Sequence, residues 1–504
     1  MPGLELRDYR FLGATQSLCP DCFHVVPAKI LDRAGRVYFR KQCPEHGTRE
    51  DFICSDVGWF DKMEYSLPGK VPLIQPIEPK RGCPYDCGLC SEHEQHTCVA
   101  VLEITESCNL TCPMCYASSG PGGKHLRLSD CCNAIDQLVA YEGRAEILQL
   151  SGGEPTVHPE FEEIFRYACG QAIDVVMINT NGIRIARDER LRELLAELRK
   201  RCEVYLQFDG FRGEEALALR GENLVEAKLQ AIELLGQAGI NVTLVCTVER
   251  DLNLDQLSQI VRFGLERPWI TGVSLQPATY VGRCRTPDDL ERRVTFPDII
   301  RSLAANSDGL CRVDDFLPLP CAHPNAHWLS YFYRDAGQTV PLTRFIDVEN
   351  HLDLLANGIT FNRGSARELI SEFLSRKSCG CDGNCGPFIL PAKSIVTPDI
   401  GNATLSTNDD VEKMASRFFA KSIAQELSPA DVFRITTTSF MDAYNFDIRQ
   451  LMKSCVHHLL PSGHLIPFDA YNLLYRDGRV ALPQLTRYGL PPRRSAMAVG
   501  TTVN

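Results

Sequence analysis

Three closely spaced cysteines are the residues of this sequence most suited to chemistry. Cys108, Cys112 and Cys115 have the spacing Cys-x3-Cys-x2-Cys in the segment ITESCNLTCPMCYA, directly after a predicted strand. Thiolates at such short spacings bind iron or zinc. An electron-transfer [4Fe–4S] cluster normally has four cysteine ligands, so three thiolates leave one iron open to another molecule. Spacing alone leaves two alternatives, a zinc knuckle and an ordinary cluster with a distant fourth ligand.

Glycine, carboxylate and amide residues follow several predicted strands where each strand ends. The segments are SGGEP (151–155), NTNG (179–182), QFDG (207–210) and QPATYVGR (276–283). Gly152 and Gly153 allow the backbone to approach a ligand closely, and Glu154 can accept hydrogen bonds from an ammonium group. TNG alone is commonly just a turn. The shared position of the motifs is the stronger signal, because the carboxyl ends of the strands carry the active site in parallel α/β barrels.

Strand-like and helix-like segments alternate between residues 99 and 300. The predicted strands are VAVLEIT, EILQLS, DVVMINT, EVYLQFD, NVTLVCTV and GVSLQP. Amphipathic segments such as ERLRELLAELRK and ENLVEAKLQAIELLGQAG separate them, with Gly239 near the end of the second. This alternation indicates parallel βαβ units. Six units are too few for a complete eight-stranded barrel, so the sequence predicts an α/β fold with a partial (β/α)6 TIM-type barrel.

A second cysteine group precedes the predicted barrel. The segment GCPYDCGLCSEHEQHTC contains Cys83, Cys87, Cys90 and Cys98, whose four thiolates can ligate an auxiliary [4Fe–4S] cluster completely. The first three repeat the spacing of the central group, so a second open cluster is the alternative. The availability of Cys98 and the lack of a GGE motif before residue 99 favour the closed auxiliary cluster.

A third cysteine group lies in the C-terminal half. SCGCDGNCG contains Cys379, Cys381 and Cys385, and its glycines permit the tight wrapping that a cluster requires. The local segment has no fourth ligand. Cys455, in SCVHH, and Cys321, in LPLPCAHP, are the two candidates, so the sequence predicts a second auxiliary cluster or else a glycine-rich loop with unused thiols.

Two metal knuckles occur near the N-terminus. Cys19 and Cys22 are spaced Cys-x2-Cys, and Cys43 and His46 are spaced Cys-x2-His. Tetrahedral sites with such spacing bind zinc or a single iron ion. Spacing favours His46 as the fourth ligand, whereas Cys54 would give an all-thiolate, rubredoxin-like iron site. Both alternatives stay open.

Composition and length limit the function further. The chain has 504 residues, a formal charge of −11 and 23 cysteines. The acidic balance disfavours a nucleic-acid backbone as the main partner. No apolar run reaches the roughly 18–20 residues of a membrane span, and the start MPGLELRDYRF lacks the apolar core of a signal peptide. We therefore expect a cytoplasmic protein whose clustered cysteines bind metals. Isolated cysteines such as Cys131 and Cys202 are expected to be small buried side chains.

The Cys-x3-Cys-x2-Cys motif followed by an aromatic residue, here Tyr116, resembles the signature of the radical S-adenosylmethionine (radical SAM) superfamily. In that family a [4Fe–4S] cluster cleaves S-adenosylmethionine to methionine and a 5′-deoxyadenosyl radical, which takes a hydrogen atom from the substrate. SGGEP resembles the family's GGEP motif, whose glutamate accepts hydrogen bonds from the methionine amino group. The resemblance implies that Cys108, Cys112 and Cys115 are catalytic. It also implies a cofactor-binding set of Tyr116, Gly152, Gly153, Glu154, Pro155, Asn179, Asn181, Asp209 and Gln276.

The flanking regions are similar to those of the tetraether lipid synthase group within that superfamily. The matching segments are CPDC with CPEHG, GCPYDCGLC with HTC, CNLTCPMCYA, and SFMDAYNFDIRQLMKSCVHHLLPSGHLIPFDAYN. The resemblance implies carbon–carbon coupling of lipid hydrocarbon chains, with an auxiliary cluster receiving a carbon radical. It implies three cubane clusters, one mononuclear iron or zinc ion, a ferredoxin-type or flavodoxin-type electron donor, and contact with a membrane surface.

Two other functions compete with lipid coupling. One is a radical SAM maturase with auxiliary clusters that acts on a peptide or a small molecule. The other is a non-enzymatic iron–sulfur electron carrier, which requires neither an open iron nor a large barrel. A zinc-dependent nucleic-acid module is disfavoured by the acidic charge.

The motifs divide the chain into five predicted regions. These are a metal site of rubredoxin-like or zinc-ribbon-like type at 1–70, an auxiliary iron–sulfur segment at 71–98, the radical SAM core at 99–300, a C-terminal auxiliary-cluster domain at 301–484 and a disordered tail at 485–504.

Overall fold

The N-terminal region folds as a small antiparallel sheet. A computed structural model describes residues 7–348, 352 and 408–486 of the chain. Its first four strands are β1 (Arg10–Leu18), β2 (Val25–Arg33), β3 (Arg36–Cys43) and β4 (Gly47–Cys54). They pair in sequence order, each antiparallel to the next. Two tight connections, between β1 and β2 and between β3 and β4, carry the two predicted metal knuckles.

Six parallel strands with intervening helices form the centre of the molecule. The strands are β5 (Val99–Thr105), β6 (Ala145–Gly152), β7 (Ile173–Thr180), β8 (Cys202–Gln207), β9 (Val242–Val248) and β10 (Ile270–Pro277). The helices are α1 (Leu128–Glu142), α2 (Phe161–Cys169), α3 (Ile183–Arg187), α4 (Glu189–Glu197), α5 (Gly213–Arg220), α6 (Val225–Gln237), α7 (Leu257–Leu265) and α8 (Phe296–Asn306). Each strand pairs with the next in sequence order, which confirms the predicted α/β partial barrel.

The later chain adds strands to both edges of this barrel. The added elements are β11 (Leu317–Pro318), β12 (His327–Asp335), β13 (Gln338–Pro341), α9 (Asn408–Ile423), β14 (Val432–Thr438), α10 (Ile448–Met452), β15 (Val456–Leu459), β16 (Leu465–Pro467) and α11 (Phe468–Ala470). Strand β14 pairs parallel to β10, and β15 pairs parallel to β5. Strand β12 then pairs antiparallel to β14, and β16 pairs antiparallel to β15. The described part of the predicted region 301–484 therefore continues the barrel sheet.

The hydrophobic core lies between the barrel strands and the helices outside them. The β5 segment VAVLEIT is rich in β-branched residues and mostly buried, as expected for a strand covered on both faces. Helix α8 begins with a capping box, in which Asp298 Oδ2 accepts the Thr295 backbone N–H at 2.8 Å. The isolated cysteines Cys131 and Cys202 are buried, as expected.

Two residues of the predicted tail are ordered against the linker before the barrel. Leu485 forms a bridge with Ile77, and the Thr486 N–H donates to the Pro76 carbonyl at 2.7 Å. These two residues extend pairing beside the cysteine segment, so the description of a disordered tail stays a prediction for the residues after them. The remainder, 487–504, lies outside the described residues.

Candidate active site

The central cysteines lie in the loop between β5 and α1. Cys112 is buried, and Cys108 and Cys115 are half-buried. All three pack with Leu110, Ile183 and Leu224 in a small apolar cluster at the carboxyl ends of the strands. The Leu110 N–H donates to Cys108 Sγ at 3.4 Å, and the Cys108 N–H donates to Gly120 at 3.0 Å. Three thiols in an apolar setting, with a backbone donor to sulfur, fit a cluster that has one open iron.

The loop after β10 is hydrogen-bonded to the backbone of the cysteine loop. The Arg283 N–H donates to the Cys115 carbonyl at 3.0 Å, and Arg283 Nε donates to the Cys112 carbonyl at 3.0 Å. A side chain at Gly282 would place its Cβ 2.3 Å from the Tyr116 carbonyl oxygen. Position 282 therefore requires glycine, because only hydrogen fits this approach. The QPATYVGR motif thus positions the cysteines through its last two residues.

The SGGEP motif packs against the backbone that enters the cysteine loop. A Cβ at Gly152 would lie 2.1 Å from the Thr105 carbonyl oxygen, and a Cβ at Gly153 would lie 2.2 Å from that of Ser107. The Gly153 N–H donates to Thr105 at 2.8 Å, and the Glu154 N–H donates to Ser107 at 2.9 Å. These glycines bring two strand ends together as well as leaving room for a ligand.

Glu154 is buried and fixed by hydroxyl and backbone donors. Its Oε1 accepts from Thr156 Oγ1 at 2.7 Å and from Thr180 Oγ1 at 2.8 Å. Its Oε2 accepts the Asn181 N–H at 2.8 Å. Burial raises the pKa of this carboxyl. With lone pairs left on Oε2, the carboxylate retains capacity for one more donor, so its predicted contact with an ammonium group remains a proposal.

The other predicted cofactor-binding residues divide into two groups. Tyr116, Asn179 and Gln276 line a cavity inside the barrel. Asn181 instead donates to Asn109 Oδ1 at 2.7 Å and so ties the β7 end to the cysteine loop. Pro155 begins a short 3-10 turn next to Glu154.

Asp209 is held by two buried cations that the sequence analysis missed. Arg220 binds both of its carboxylate oxygens, at 2.8 and 2.7 Å, and Lys228 Nζ lies 3.8 Å away. Burial alone would raise the pKa of Asp209, but Arg220 and then Lys228 outweigh it and lower that pKa. Burial lowers the pKa of Lys228 to about 8. Both cations also act electrostatically on Cys112. Lys228 could have been recognised in the sequence, because it is a charged residue on the buried, otherwise apolar face of α6.

The cavity runs through the barrel interior from the cysteine loop to the added strands. Its volume is about 210 Å³. Apolar side chains such as Val101, Ile147 and Val245 line it together with polar ones such as Gln149 and Gln207. Arg220, His327, Leu319 and Val456 also line it. The lining is therefore mixed and can match the polar edge and the flat faces of one small molecule.

The auxiliary cysteines group differently from the sequence expectation. Cys83, Cys87 and Cys90 surround a small cavity of about 10 Å³. Cys98 was expected to close that group, but its thiol contacts those of Cys321 and Cys455 instead. The β5–β15 pairing brings Cys98 to Cys455, because it joins the residues that directly follow them.

The third predicted group lies outside the described residues. Cys379, Cys381 and Cys385 all fall between 352 and 408. The two candidates for their fourth ligand, Cys455 and Cys321, lie together beside Cys98.

The N-terminal site assembles both knuckles. The ligand atoms of Cys19, Cys22, Cys43 and His46 all lie within 4.8 Å of one another. Cys22 Sγ lies 3.7 Å from Cys43 Sγ, close to the about 3.8 Å edge of a tetrahedron with Zn–S bonds of about 2.3 Å. Cys54 lies apart and donates to the Asp56 carbonyl at 3.4 Å. The four residues fit a zinc ion, and of the two fourth ligands left open, the structure brings His46 to the site.

The similarity of this chain to known proteins agrees with the geometry. The 7,8-dihydro-6-hydroxymethylpterin dimethyltransferase of Methanocaldococcus jannaschii is 31% identical over 490 residues, which cover 92% of this chain and 94% of that protein. The sequence model of the Radical SAM superfamily matches residues 102–264. The chain belongs to the radical SAM superfamily. Its cofactors accordingly include the radical SAM [4Fe–4S] cluster and S-adenosylmethionine.

Two further matches cover only parts of the chain. The HMPTM N-terminal zinc ribbon domain matches residues 11–55, which favours zinc at the N-terminal site. The mycofactocin maturase MftC of Mycobacterium tuberculosis is 31% identical over 169 residues, covering 32% of this radical SAM chain and 41% of that protein.

The comparison with solved structures gives weak overall similarity. Streptococcus suis SuiB bound to S-adenosylmethionine superimposes with a TM-score of 0.35 at 16% identity, covering 42% of this chain and 47% of that one.

The comparisons support the expected superfamily but not the expected lipid synthase group within it. The full-length relative named above is a pterin dimethyltransferase, whereas the flanking motifs suggested a lipid synthase. The alignment with that relative covers 92% of this chain, so the flanking motifs do not by themselves identify a lipid substrate. Within the described part of the chain, no helix combines the length and apolar character needed to cross a membrane.

Proposed function

We propose that this radical SAM enzyme modifies a small, flat, polar molecule of the pterin class inside the barrel cavity. The observation that carries the proposal is the mixed lining of that cavity, in which the amides of Gln149, Asn179 and Gln207 lie among apolar side chains. An amide offers both a donor and an acceptor, as the edge of a pterin ring requires. The name of the full-length relative supports the same substrate class.

The proposed roles of the residues follow from their positions. Cys108, Cys112 and Cys115 would hold the cluster, which would supply the electron for cleaving S-adenosylmethionine to methionine and a 5′-deoxyadenosyl radical. Glu154 orients the methionine amino group through the free capacity of Oε2. Arg220, held by Asp209, supplies positive charge at the cysteine end of the cavity. The barrel wall keeps water away from the carbon that loses its hydrogen atom.

The test compares two substrate classes under identical conditions. Reconstituted protein is incubated without oxygen with S-adenosylmethionine, dithionite and either 7,8-dihydro-6-hydroxymethylpterin or an isoprenoid lipid extract. We expect the pterin to increase 5′-deoxyadenosine formation, and deuterium placed on the pterin to appear in the 5′-deoxyadenosine. A Gln149→Leu variant should lose this stimulation but keep the slow cleavage seen without substrate. Stimulation by the lipid alone, or by neither, would overturn the pterin assignment.

A second candidate, coupling of lipid hydrocarbon chains, is favoured by one specific observation. The thiols of Cys98, Cys321 and Cys455 lie next to residues that line the same cavity, where an auxiliary cluster would meet a carbon radical. The apolar part of the lining suits methylene groups, whose burial contributes roughly 0.8 kcal/mol each. Under this reading the lipid extract, preferably with deuterated chains, transfers deuterium to 5′-deoxyadenosine, and the pterin does not stimulate cleavage.

A further inference from the structure

A second, smaller cavity lies between the N-terminal ribbon and the barrel. Its volume is about 50 Å³. Strands β3 and β4 contribute Phe39, Ile53 and Cys54 to its wall, and the start of α8 contributes Phe296. At roughly 10–15 Å³ for each water-sized group, the space holds about three to five such groups. It is therefore too small for a ring system but large enough for a short substituent. We call this cavity the ribbon pocket.

The ribbon pocket shares part of its wall with the barrel cavity. Pro277, Ala278 and Phe440 line both spaces. The Phe440 ring lies 4.2 Å, centroid to centroid, from the ring of Phe468, which also lines the barrel cavity. The two cavities are therefore separated by these few side chains, and a group attached to a molecule in the barrel cavity can reach the ribbon pocket beside Phe440.

Two polar groups of the ribbon pocket have unused hydrogen-bonding capacity. Arg293 lines the pocket and is 3% exposed, and its Nε has no acceptor within the part of the chain that the structure describes. The hydroxyl of Ser439, another lining residue, likewise has no partner among the described residues. Because a buried polar atom without a partner is costly, both groups favour an oxygen atom bound between them.

The charged groups around the pocket are already paired with one another. Arg293 donates to the two carboxylate oxygens of Asp442, at 2.9 and 2.7 Å. Asp447, which lines the pocket, accepts from Arg449 through Oδ1 at 3.1 Å and through Oδ2 at 2.6 Å. The pocket therefore offers hydrogen-bond donors without an excess of positive charge. That combination suits a neutral hydroxyl or carbonyl oxygen better than a carboxylate or a phosphate, whose buried charge would lack a partner.

We propose that the ribbon pocket binds a short, neutral, oxygen-bearing substituent of the molecule that occupies the barrel cavity. Arg293 Nε–H donates to the oxygen of that substituent, and the Ser439 hydroxyl forms a second hydrogen bond with it. The inference rests on the proposed small-molecule substrate and adds the part of the substrate that determines specificity. It also gives the N-terminal ribbon a role in substrate recognition, because two of its strands form the pocket wall.

The test compares two ligands that differ by one oxygen atom. Isothermal titration calorimetry without oxygen or reductant gives the Kd of 7,8-dihydro-6-hydroxymethylpterin and of 7,8-dihydro-6-methylpterin for the reconstituted holoenzyme with S-adenosylmethionine. We expect the hydroxymethyl compound to bind about tenfold more tightly, as for one hydrogen bond to a charged donor. Equal affinities would overturn the subsite but leave the pterin proposal standing. Failure of both compounds to bind would overturn both proposals.

Substitutions then test the two residues. Ser439→Ala and Arg293→Lys should each reduce the preference for the hydroxymethyl compound to about threefold or less, while the affinity for the methyl compound stays constant. Lysine keeps a positive charge for Asp442 but has no Nε–H, and Ser439→Ala decides alone if Arg293→Lys does not fold. Ser258→Ala is the matched control, because the buried Ser258 hydroxyl also lacks a partner among the described residues but lines neither cavity. An undiminished preference in Ser439→Ala, or an equal loss in Ser258→Ala, would refute the assignment.

Discussion

Lys41 connects the N-terminal zinc ribbon to residues 443–444 of the C-terminal half through hydrogen bonds. Its side chain is 1% exposed, and Nζ donates to the carbonyls of Leu18, Ala443 and Tyr444 at 3.0, 2.8 and 2.6 Å. It also pairs with Asp51 at 3.0 Å. Leu18 directly precedes the first metal ligand, so one ammonium group connects the metal knuckle with the C-terminal half of the chain.

Replacing Lys41 with methionine removes this connection at nearly constant volume. Three buried carbonyls then lack a donor, and each such group costs about 1–3 kcal/mol. Asp51 retains Arg49, at 2.7 and 3.0 Å, which limits the penalty for its charge. We therefore expect a loss of about 3–5 kcal/mol, as for breaking a buried ion pair. That is roughly a 150- to 4,000-fold shift towards an undocked ribbon.

The effect should reach the cysteine loop through Asp442, which precedes Ala443. Asp442 accepts the Tyr280 N–H at 3.1 Å. Both of its carboxylate oxygens also accept hydrogen bonds from the buried Arg293 guanidinium, at 2.9 and 2.7 Å. Tyr280 leads directly to Arg283, whose contacts hold the carbonyls of the central cysteines. Greater mobility of residues 443–444 should therefore weaken the hydrogen bonds from Arg283 to the carbonyls of Cys112 and Cys115.

The assay is hydrogen–deuterium exchange followed by measurement of uncoupled S-adenosylmethionine cleavage. Lys41→Met should raise exchange in peptides covering 278–285 and 106–116 and lower the rate of 5′-deoxyadenosine formation, with iron still bound. Lys29→Met, on the exposed face of β2, is the control and should change neither. If exchange rises in the ribbon alone and the 278–285 peptide stays protected, the proposed connection does not exist.

Three other perturbations test the rest of the site. Changing Cys108, Cys112 and Cys115 together to alanine should abolish 5′-deoxyadenosine formation and remove about four irons per chain; cleavage that persists would assign the reaction to another cluster. Asp209→Asn leaves Arg220 and Lys228 without their carboxylate, so it should destabilise the protein by about 3–5 kcal/mol in thermal or denaturant unfolding, and an unchanged stability would contradict the buried-pair argument. Chelation of zinc at the N-terminal site should unfold the ribbon and raise exchange at 11–55, while the iron content stays constant.

The barrel could be predicted because the patterns that indicate its strands and its cysteine site each lie within a short stretch of sequence. Each strand from β5 to β10 is a short apolar run bounded by turns, and the central cysteines lie within eight residues of one another. The edge strands β14 and β15 were missed. Strand β15 has only four residues, and nothing in VHHL distinguishes a strand from a loop before its pairing with β5 is known.

The regrouped thiols show where local reasoning fails. Cys98 follows Cys90 closely in sequence, so spacing favoured a single cluster for both. Its partners in space, Cys321 and Cys455, come from segments more than two hundred residues away. The register between β5 and β15 brings Cys98 to Cys455, and the chain between β11 and β12 carries Cys321 to them. The sequence gives no measure of either arrangement. Lys228 was different, because a lysine on an apolar helix stripe is visible in the sequence.

The pairing of β14 and β15 with the two edges of the barrel also has a consequence for biosynthesis. When β10 leaves the ribosome, β5 and β10 both present unpaired backbone groups, which are templates for pairing with other chains. Roughly 180 residues separate β10 from β15, which corresponds to about 10–40 s of synthesis at about 5–20 residues per second. During that interval we expect the nascent barrel to stay soluble only if chaperones cover these edges or if its association with other chains is slow. A chain shortened to 99–300 would keep both edges open permanently and should accumulate as aggregates.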